Sequence, residues 1–364
     1  MANRIIISGG GTGGHIFPAI AIANALKHLQ PDIEILFVGA EGKMEMERVP
    51  EAGYNIVGLD IQGINRKSLW KNVALPFKLV SSLRKANRIV QTFKPQVAVG
   101  VGGYASGPLL MAAHRKSIPT LIQEQNSFAG LTNRRLSHRS QKICVAYEGM
   151  EKFFPAEKII KTGNPIRRQS VDIKGKRQKG LKYFDLTADK PVVLVSGGSL
   201  GAQSINEALQ ELVFLFEKQN IQLIWQCGKY YYERLVQKLG ILPPEVKLMP
   251  FIERMDYAYA VADLVVSRAG AGSISELCAV AKPVILVPSP NVAEDHQSKN
   301  AEALVVKEAA IMIRDAEVNE LLMSRILDLL EDKKKRNRMS ESIKQLALPD
   351  ADIEIAKHVL NLIG

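Results

Sequence analysis

"IIISGGGTGGH", residues 5–15, places five glycines in six positions between a run of isoleucines and a histidine. "VLVSGGSLGAQ", residues 193–203, repeats the plan about half a chain later: an apolar strand, a Ser-Gly-Gly turn, then an amphipathic helix pattern. In a strand-loop-helix unit, glycines let the loop take positive φ and let a ligand approach the backbone, while the free N–H groups at the helix start attract phosphate. Two copies of such a unit predict an α/β protein of two similar, Rossmann-like doubly wound parallel-sheet domains facing a cleft.

Working outward, "RIIIS", "EILFVG", "PQVAVGVGG" and "PTLIQEQN" read as strands alternating with helical patterns, and "PVVLVSGG", "IQLIWQCG", "DLVVSRAG" and "KPVILVPS" repeat the scheme. At 364 residues the chain exceeds what one core usually covers. The stretch from Gly163 to Pro191 carries charge, turn residues and little periodicity, and the linker is placed there. The expected division is 1–163, 164–345 and a terminal helix in 346–364.

Composition narrows the setting. With 46% apolar and 23% charged residues both domains should fold. No run of eighteen apolar residues and no signal-peptide layout is present, so the sequence predicts a chain that neither spans a membrane nor is secreted. Cys144, Cys227 and Cys278 are odd in number and lack metal-ligand spacing, which fits buried thiols in a reducing cytosol.

The net charge of +11 is uneven. Residues 1–164 hold 21 Lys+Arg against 11 Asp+Glu, and residues 165–364 hold 27 against 26. Between Asp60 and Glu124 there are ten basic residues and no acid. Within residues 64–90, Leu69, Val73, Phe77, Val80 and Leu83 recur at helical spacing, with Arg66, Lys67, Lys71, Lys78, Arg84, Lys85 and Arg88 around them. Such a stripe is in part core packing; the missing acids point to an anionic leaflet, each cation near the surface contributing about 1 kcal/mol. Nucleic acid is excluded as a partner, since no binding module is recognisable and aromatics are only 6%.

Three loops carry candidate chemistry. Gly9, Gly11 and Gly14 satisfy G-x-G-x-x-G, but the acid a dinucleotide site wants after the second strand is missing: Asp32 and Glu34 come too early and Glu41 too late. His15 follows at the helix start, where the dipole favours a neutral ring able to take a proton; the plainer reading is a cap or polar contact. In "VSRAGAGSISE", Ala271, Gly272 and Ser273 are placed to present N–H groups to a diphosphate. Glu276 reads either as the distal half of a Ser273-Ile-Ser-Glu276 capping box or as a carboxylate for two ribose hydroxyls. Gln297 and Asn300, with His296, follow a strand's C-terminal end and suit sugar hydroxyls. Asp350-Ala-Asp352 matches a metal-binding DxD pattern, but is read as helix capping, and no metal site is expected.

Together "GGGTGGHIFPA", "GGYASGP", "QEQNSFAGLTNR", "GNPIR", "GGSLGAQ" and "SRAGAGSISE…VPSP…EDHQSKNA" resemble the MurG family of bacterial UDP-N-acetylglucosamine:undecaprenyl-diphospho-muramoyl-pentapeptide N-acetylglucosaminyltransferases, over residues 9–301. The resemblance implies a GT-B fold: an N-terminal domain for the lipid-linked acceptor (lipid I), a C-terminal domain for the UDP-GlcNAc donor, and a final helix crossing back. It implies no cofactor, the nucleotide sugar being a substrate. Carried over by position, donor contacts fall on Thr12, Gly13, Gly14, Asn126, Arg167, Ser199, the backbone of Ile252, the run Ala271, Gly272, Ser273, Ile274, Ser275 and Glu276, and Gln297. Some members have Gln-Gln at His296-Gln297, which leaves the role of His296 open.

The implied reaction inverts the anomeric centre. His15 is the candidate base, with Glu124 as the alternative, and helix N-termini at Ser199 and Ser273, with Arg167, would stabilise the leaving diphosphate. The setting implied is the cytoplasmic face of the bacterial membrane, with cell-wall synthesis proteins as possible partners. The rival readings are a UDP-GlcNAc 2-epimerase and a non-catalytic nucleotide-sugar sensor.

Overall fold

A computed structural model describes residues 2–63, 75–198, 200–292 and 295–363. Ser199 and residues 64–74, which include Leu69, Trp70 and Val73, lie outside the described residues. The chain divides into two units, Met1–Ile166 with Pro349–Gly364, and Arg167–Leu348.

The first unit is built on parallel strands β1 (Arg4–Gly9), β2 (Glu34–Ala40), β3 (Asn55–Leu59), β4 (Val97–Gly102), β5 (Thr120–Glu124), β6 (Lys142–Val145) and β7 (Ile159–Lys161). Their order across the sheet is β3-β2-β1-β4-β5-β6-β7. β1 and β4 are buried along nearly their whole length, as strands covered on both faces must be, which is why they read as continuous apolar runs. Helices α1 (Gly13–Leu29), α2 (Glu45–Glu51), α3 (Leu75–Phe93), α4 (Ser106–Arg115) and α5 (Leu131–Ser137) connect them.

Strand order reverses between β1 and β4, and open parallel sheets bind ligands outside the carboxyl ends of the strands at such a point. There the pairing slips: Ser8 faces Gly100 but Gly9 faces Gly102. The two loops that leave this point are the glycine loop of residues 9–12 and the "GGYAS" turn after β4.

The second unit repeats the scheme. α6 (Arg168–Val171) and α7 (Arg177–Phe184) precede a parallel sheet of β8 (Val192–Ser196), β9 (Gln222–Gln226), β10 (Val246–Met249), β11 (Leu264–Ser267), β12 (Val284–Leu286) and β13 (Ile311–Met312), in the order β10-β9-β8-β11-β12-β13. Its helices are α8 (Gln203–Lys218), α9 (Lys229–Leu239), α10 (Met255–Val261), α11 (Ala271–Val280), α12 (His296–Val305), α13 (Val318–Glu331) and α14 (Lys333–Lys344). The reversal here falls between β8 and β11, so the equivalent loops are 197–202 and 268–270. The core is centred on Trp225, fully buried with its indole N–H donated to Asn206 at 3.0 Å.

The linker expectation is corrected. Much of Gly163–Pro191 is not a linker: α7 buries Leu181 and Phe184, and Lys176 and Arg254 converge on Asp256 at 3.1 and 2.8 Å, tying the segment to α10. With only two large apolar side chains buried in α7, the helix leaves almost no periodic signal. α3 also faces differently from its apolar stripe. It buries Ser82, Ala86 and Val90, while Phe77 and Val80 stay exposed.

The last helix, α15 (Ala351–Leu360), belongs to the first unit. Ile355, Ala356 and Val359 join the buried cluster of Ile16, Ala19, Ile22 and Leu26 on α1. That explains why α1 is apolar nearly all round, for the sheet covers one side of it and α15 another. Asp350 occupies the N-cap position of α15 but makes no side-chain capping hydrogen bond, so the capping expected of it is absent.

Candidate active site

In the first unit the glycine loop, the β4 turn and His15 interlock. Gly103 has φ +90°, and a Cβ there would lie 2.3 Å from the Gly10 carbonyl oxygen. The Gly10 N–H bonds back to the Gly102 carbonyl at 3.3 Å. Ser106, at the start of α4, donates to the Ser8 and Gly102 carbonyls and is fully buried. His15 is half-buried in the first turn of α1, with Nδ1 3.1 Å from the Gly10 carbonyl and 3.3 Å from the Thr12 hydroxyl. A carbonyl only accepts, so in a neutral ring this contact calls for the proton on Nδ1 and the lone pair on Nε2. Thr12 is the N-cap residue without a side-chain capping bond, and Gly13 and Gly14 open the helix with no intrahelical acceptor for their N–H groups.

Glu124 ends β5 and is 2% exposed. Oε1 accepts from the backbone and side-chain nitrogens of Asn126 at 3.2 and 3.3 Å, and Oε2 from the Gly130 N–H and Asn133 Nδ2 at 3.1 and 2.9 Å. Burial raises its pKa against the opposing effect of these four bonds. All of them shape the loop 125–130 and the start of α5, so the carboxylate is saturated by its own chain. Asn126 is thereby fixed beside it.

In the second unit a cavity of about 600 Å³ opens over the reversal point, within the range of nucleotide-sized pockets. Gly198, Leu200 and Gly201 from the loop after β8, Gly270 and Ser273 from α11, and Gln297 from α12 line it. α8 begins at Gln203 with Ala202 as N-cap, just after Gly201, whose φ is +80°; the expected helix start at Ser199 lies outside the described residues. α11 begins at Ala271 with Gly270 as N-cap, which overturns the capping box: Ser273 already lies inside the helix. The N–H groups of Ala271, Gly272 and Ser273 have no intrahelical acceptor. That of Ile274 bonds Gly270 at 2.9 Å, so it is not available to a ligand. Ser275 donates its hydroxyl to the Ala271 carbonyl.

Glu276 is buried and takes Arg167 instead of a helix amide: Nε to Oε1 at 3.1 Å, with Tyr259 donating its hydroxyl at 3.4 Å. Burial opposes the charge on Arg167, but the adjacent Glu276 outweighs it and holds the guanidinium's pKa above its usual value. Desolvation, reinforced by Glu276, pushes the Tyr259 phenol far up, so it remains a donor. Gln297 accepts the Ser289 N–H at 2.9 Å. The Ile252 amide is held at 3.0 Å by Gln226, whose Nε2 donates to the Gly198 carbonyl at 2.9 Å, so one side chain joins the loops after β8 and β10.

Three groups escaped the sequence reading. Gln226 ends a quoted strand but looks like any strand terminus. Arg268, in the quoted "SRAGAG", donates to the Val287 and Pro288 carbonyls and to Ser204 and Asp315. Glu45, in the first turn of α2, is fully buried beneath the first glycine loop. No motif marked it. Among the described residues, no group of three or more His, Cys, Asp or Glu is arranged to hold a metal ion, and no helix is long and apolar enough to cross a membrane.

Two parallel sheets, each with a glycine loop at its reversal point, one loop bearing an imidazole and the other a nucleotide-sized pocket, make up the two-domain GT-B architecture. Residues 5–145 match the glycosyltransferase family 28 N-terminal domain and residues 192–355 its C-terminal domain. The chain is 56% identical, over 99% of its length and 96% of the relative's, to the UDP-N-acetylglucosamine--N-acetylmuramyl-(pentapeptide) pyrophosphoryl-undecaprenol N-acetylglucosamine transferase of Bacteroides fragilis. It superposes on the crystal structure of Acinetobacter baumannii MurG with a TM-score of 0.79 at 29% identity, covering 99% of both chains. The chain belongs to glycosyltransferase family 28 and, within it, to the MurG transferases. A Neisseria meningitidis UDP-GlcNAc 2-epimerase also superposes, with a TM-score of 0.66 at 15% identity over 99% of this chain and 100% of that one, a likeness of fold alone.

Proposed function

We propose that this protein transfers GlcNAc from UDP-GlcNAc to the 4-hydroxyl of undecaprenyl-diphospho-MurNAc-pentapeptide, turning lipid I into lipid II in peptidoglycan synthesis. The observation that carries this is identity above half, over nearly the whole chain, with a transferase of that name. The donor is held in the second unit. The N–H groups of Ala271, Gly272 and Ser273 meet the diphosphate, Arg167 adds positive charge, Glu276 takes the ribose hydroxyls, Gln297 the sugar hydroxyls, and the Ile252 backbone the uracil. Ser199, Thr12, Gly13, Gly14 and Asn126 complete the contacts.

The acceptor hydroxyl attacks the anomeric carbon as the bond to UDP breaks from the opposite face, so an α-linked donor gives a β-1,4 product. The hydroxyl proton passes to His15 Nε2. His15 is preferred to Glu124 because Nδ1 is already engaged and Nε2 carries the lone pair, whereas each oxygen of Glu124 already accepts two internal donors. Positive charge and N–H dipoles at the leaving diphosphate stabilise the charge that develops there.

The acceptor's lipid tail requires a membrane surface. Exposed Phe77, Leu79 and Val80 on α3, with Arg84 and Arg88 near them in sequence, support residues 64–90 as a peripheral contact with an anionic leaflet at the cytoplasmic face. Proteins of cell-wall synthesis would meet the enzyme there.

The test is transfer of radiolabelled GlcNAc from UDP-GlcNAc to a lipid I analogue. Wild type should give product, and His15→Ala should bind donor normally but turn over at least about a hundredfold slower. Tight donor binding without transfer by wild type would overturn the reading.

A further inference from the structure

Burying a carboxylate is unfavourable unless donors hold it, and Glu45 is buried completely where no motif requires an acid. Its Oε2 accepts the Gly11 N–H at 2.9 Å and its Oε1 the Ala40 N–H at 3.0 Å. It also accounts for two glycines. A Cβ on Gly10 would lie 2.1 Å from Oε1, and one on Gly39 2.6 Å from Cγ. The backbone on both sides of this side chain is therefore free of Cβ atoms that would collide with it.

We propose that Glu45 is a positioning residue for His15, acting through the single peptide that joins Gly10 to Gly11. A trans peptide points its C=O and N–H to opposite sides. With the Gly11 N–H fixed on Glu45, the Gly10 C=O must face away from α2, and His15 Nδ1 lies 3.1 Å from it there. The chain of groups runs carboxylate, N–H, C=O, H–Nδ1, and each bond polarises the next. The carboxylate does for the imidazole what the aspartate does in a Ser-His-Asp triad, fixing tautomer and orientation, with a peptide inserted between them. The ring's other edge rests on Gly102, where a Cβ would come within 2.5 Å of Cδ2 and 2.8 Å of Nε2. The backbone confines the ring from both sides.

Facing this turn are Glu45 from α2, the Tyr104 ring from beyond β4, and Thr12 from the turn itself. α15, packed on α1, carries Asp352, Glu354, Lys357 and His358, the last 3.3 Å from Lys142 of β6. Glu45 differs from these in being bonded to the peptide that His15 uses. The consequence for catalysis rests on reading His15 as the base; the consequence for the ring's tautomer does not.

The experiment is nitrogen NMR of the full chain labelled at histidine, with the His15 signal assigned from its loss in His15→Gln, alongside transfer kinetics. In wild type, neutral His15 should be protonated at Nδ1. In Glu45→Gln the His15 pKa should fall by about half to one unit as the negative charge is removed. The acid limb of kcat should move to lower pH by the same amount, and kcat should drop about tenfold with KM for UDP-GlcNAc unchanged. An Nε2-protonated tautomer in wild type overturns the proposal even if no Glu45 variant folds. So does a Glu45→Gln protein that loses activity while its His15 pKa and tautomer stay as in wild type, since Glu45 would then serve folding alone. Full activity of His15→Gln would instead remove His15 as base and leave the tautomer result to decide the link to Glu45.

Discussion

The two glycine loops share a topology and differ in what pins them. Below the first, Glu45 is an acceptor and draws in backbone N–H groups, those of Gly11 and Ala40. Beside the second, Arg268 is a donor and draws in carbonyls, those of Val287 and Pro288. In the first unit this leaves a carbonyl facing the imidazole; in the second, the first N–H groups of α11 have no intrahelical acceptor. On the proposed function, one unit supplies the proton acceptor and the other the anion cradle, which is the division of labour a group transfer from a diphosphate to a hydroxyl needs.

Exchanging the defects tests this division. The largest effect expected is the loss of at least about a hundredfold in kcat for His15→Ala, with donor affinity intact. Glu276→Ala should show the opposite split, a loss of about tenfold to a hundredfold carried by KM for UDP-GlcNAc, read by steady-state kinetics and donor calorimetry. If both variants lose kcat alone, the assignment of the base to His15 and of donor binding to Glu276 fails.

Next in size is stability. Asp315→Ala leaves Arg268, whose side chain is 12% exposed, without its carboxylate, and should cost about 3–5 kcal/mol in urea unfolding. An equal cost from replacing both residues by apolar ones would show that the guanidinium was not the cause.

The pH dependence of stability should carry opposite contributions from the two units. In the second, the Arg254 fork holds Asp256 at about 2. Its folded pKa is depressed, so its contribution is full above the unfolded value near 4 and is lost as pH falls toward 2; it amounts to about 2 kcal/mol. In the first, burial raises Glu124. Its contribution is full below the unfolded value and is lost as pH rises through the folded one. Asp256→Asn should flatten the acid side of the stability profile and Glu124→Gln the opposite side.

The smallest effect should be on thiol chemistry, where the units agree. Burial pushes Cys144 and Cys278 to about 12 and Cys227 to about 11, so a disulfide reagent should leave all three unmodified until the protein unfolds.

Much of this was legible. The repeated strand and Ser-Gly-Gly turn disclosed the two sheets, because buried parallel strands must be continuous apolar runs. Short strands such as β6 and β10 escaped, since four residues carry no period. His15 and Glu276 were visible through motif position, but the partner of Glu276 was not. Its spacing from Ser273 fits a capping box, and only Gly270 at the N-cap removes that reading. Glu45 was invisible for a deeper reason. Its partners are backbone atoms in β1's loop and at the end of β2, and a side chain that recognises backbone leaves no pattern in residue types.

The packing of α15 on α1 has a consequence in time. The first unit's cluster lacks Ile355, Ala356 and Val359 until the ribosome has made the whole of the second unit. At about 5–20 residues per second that wait is roughly 10–40 s. Through that interval the nascent first unit exposes an apolar groove along α1, and the second unit is free to finish first.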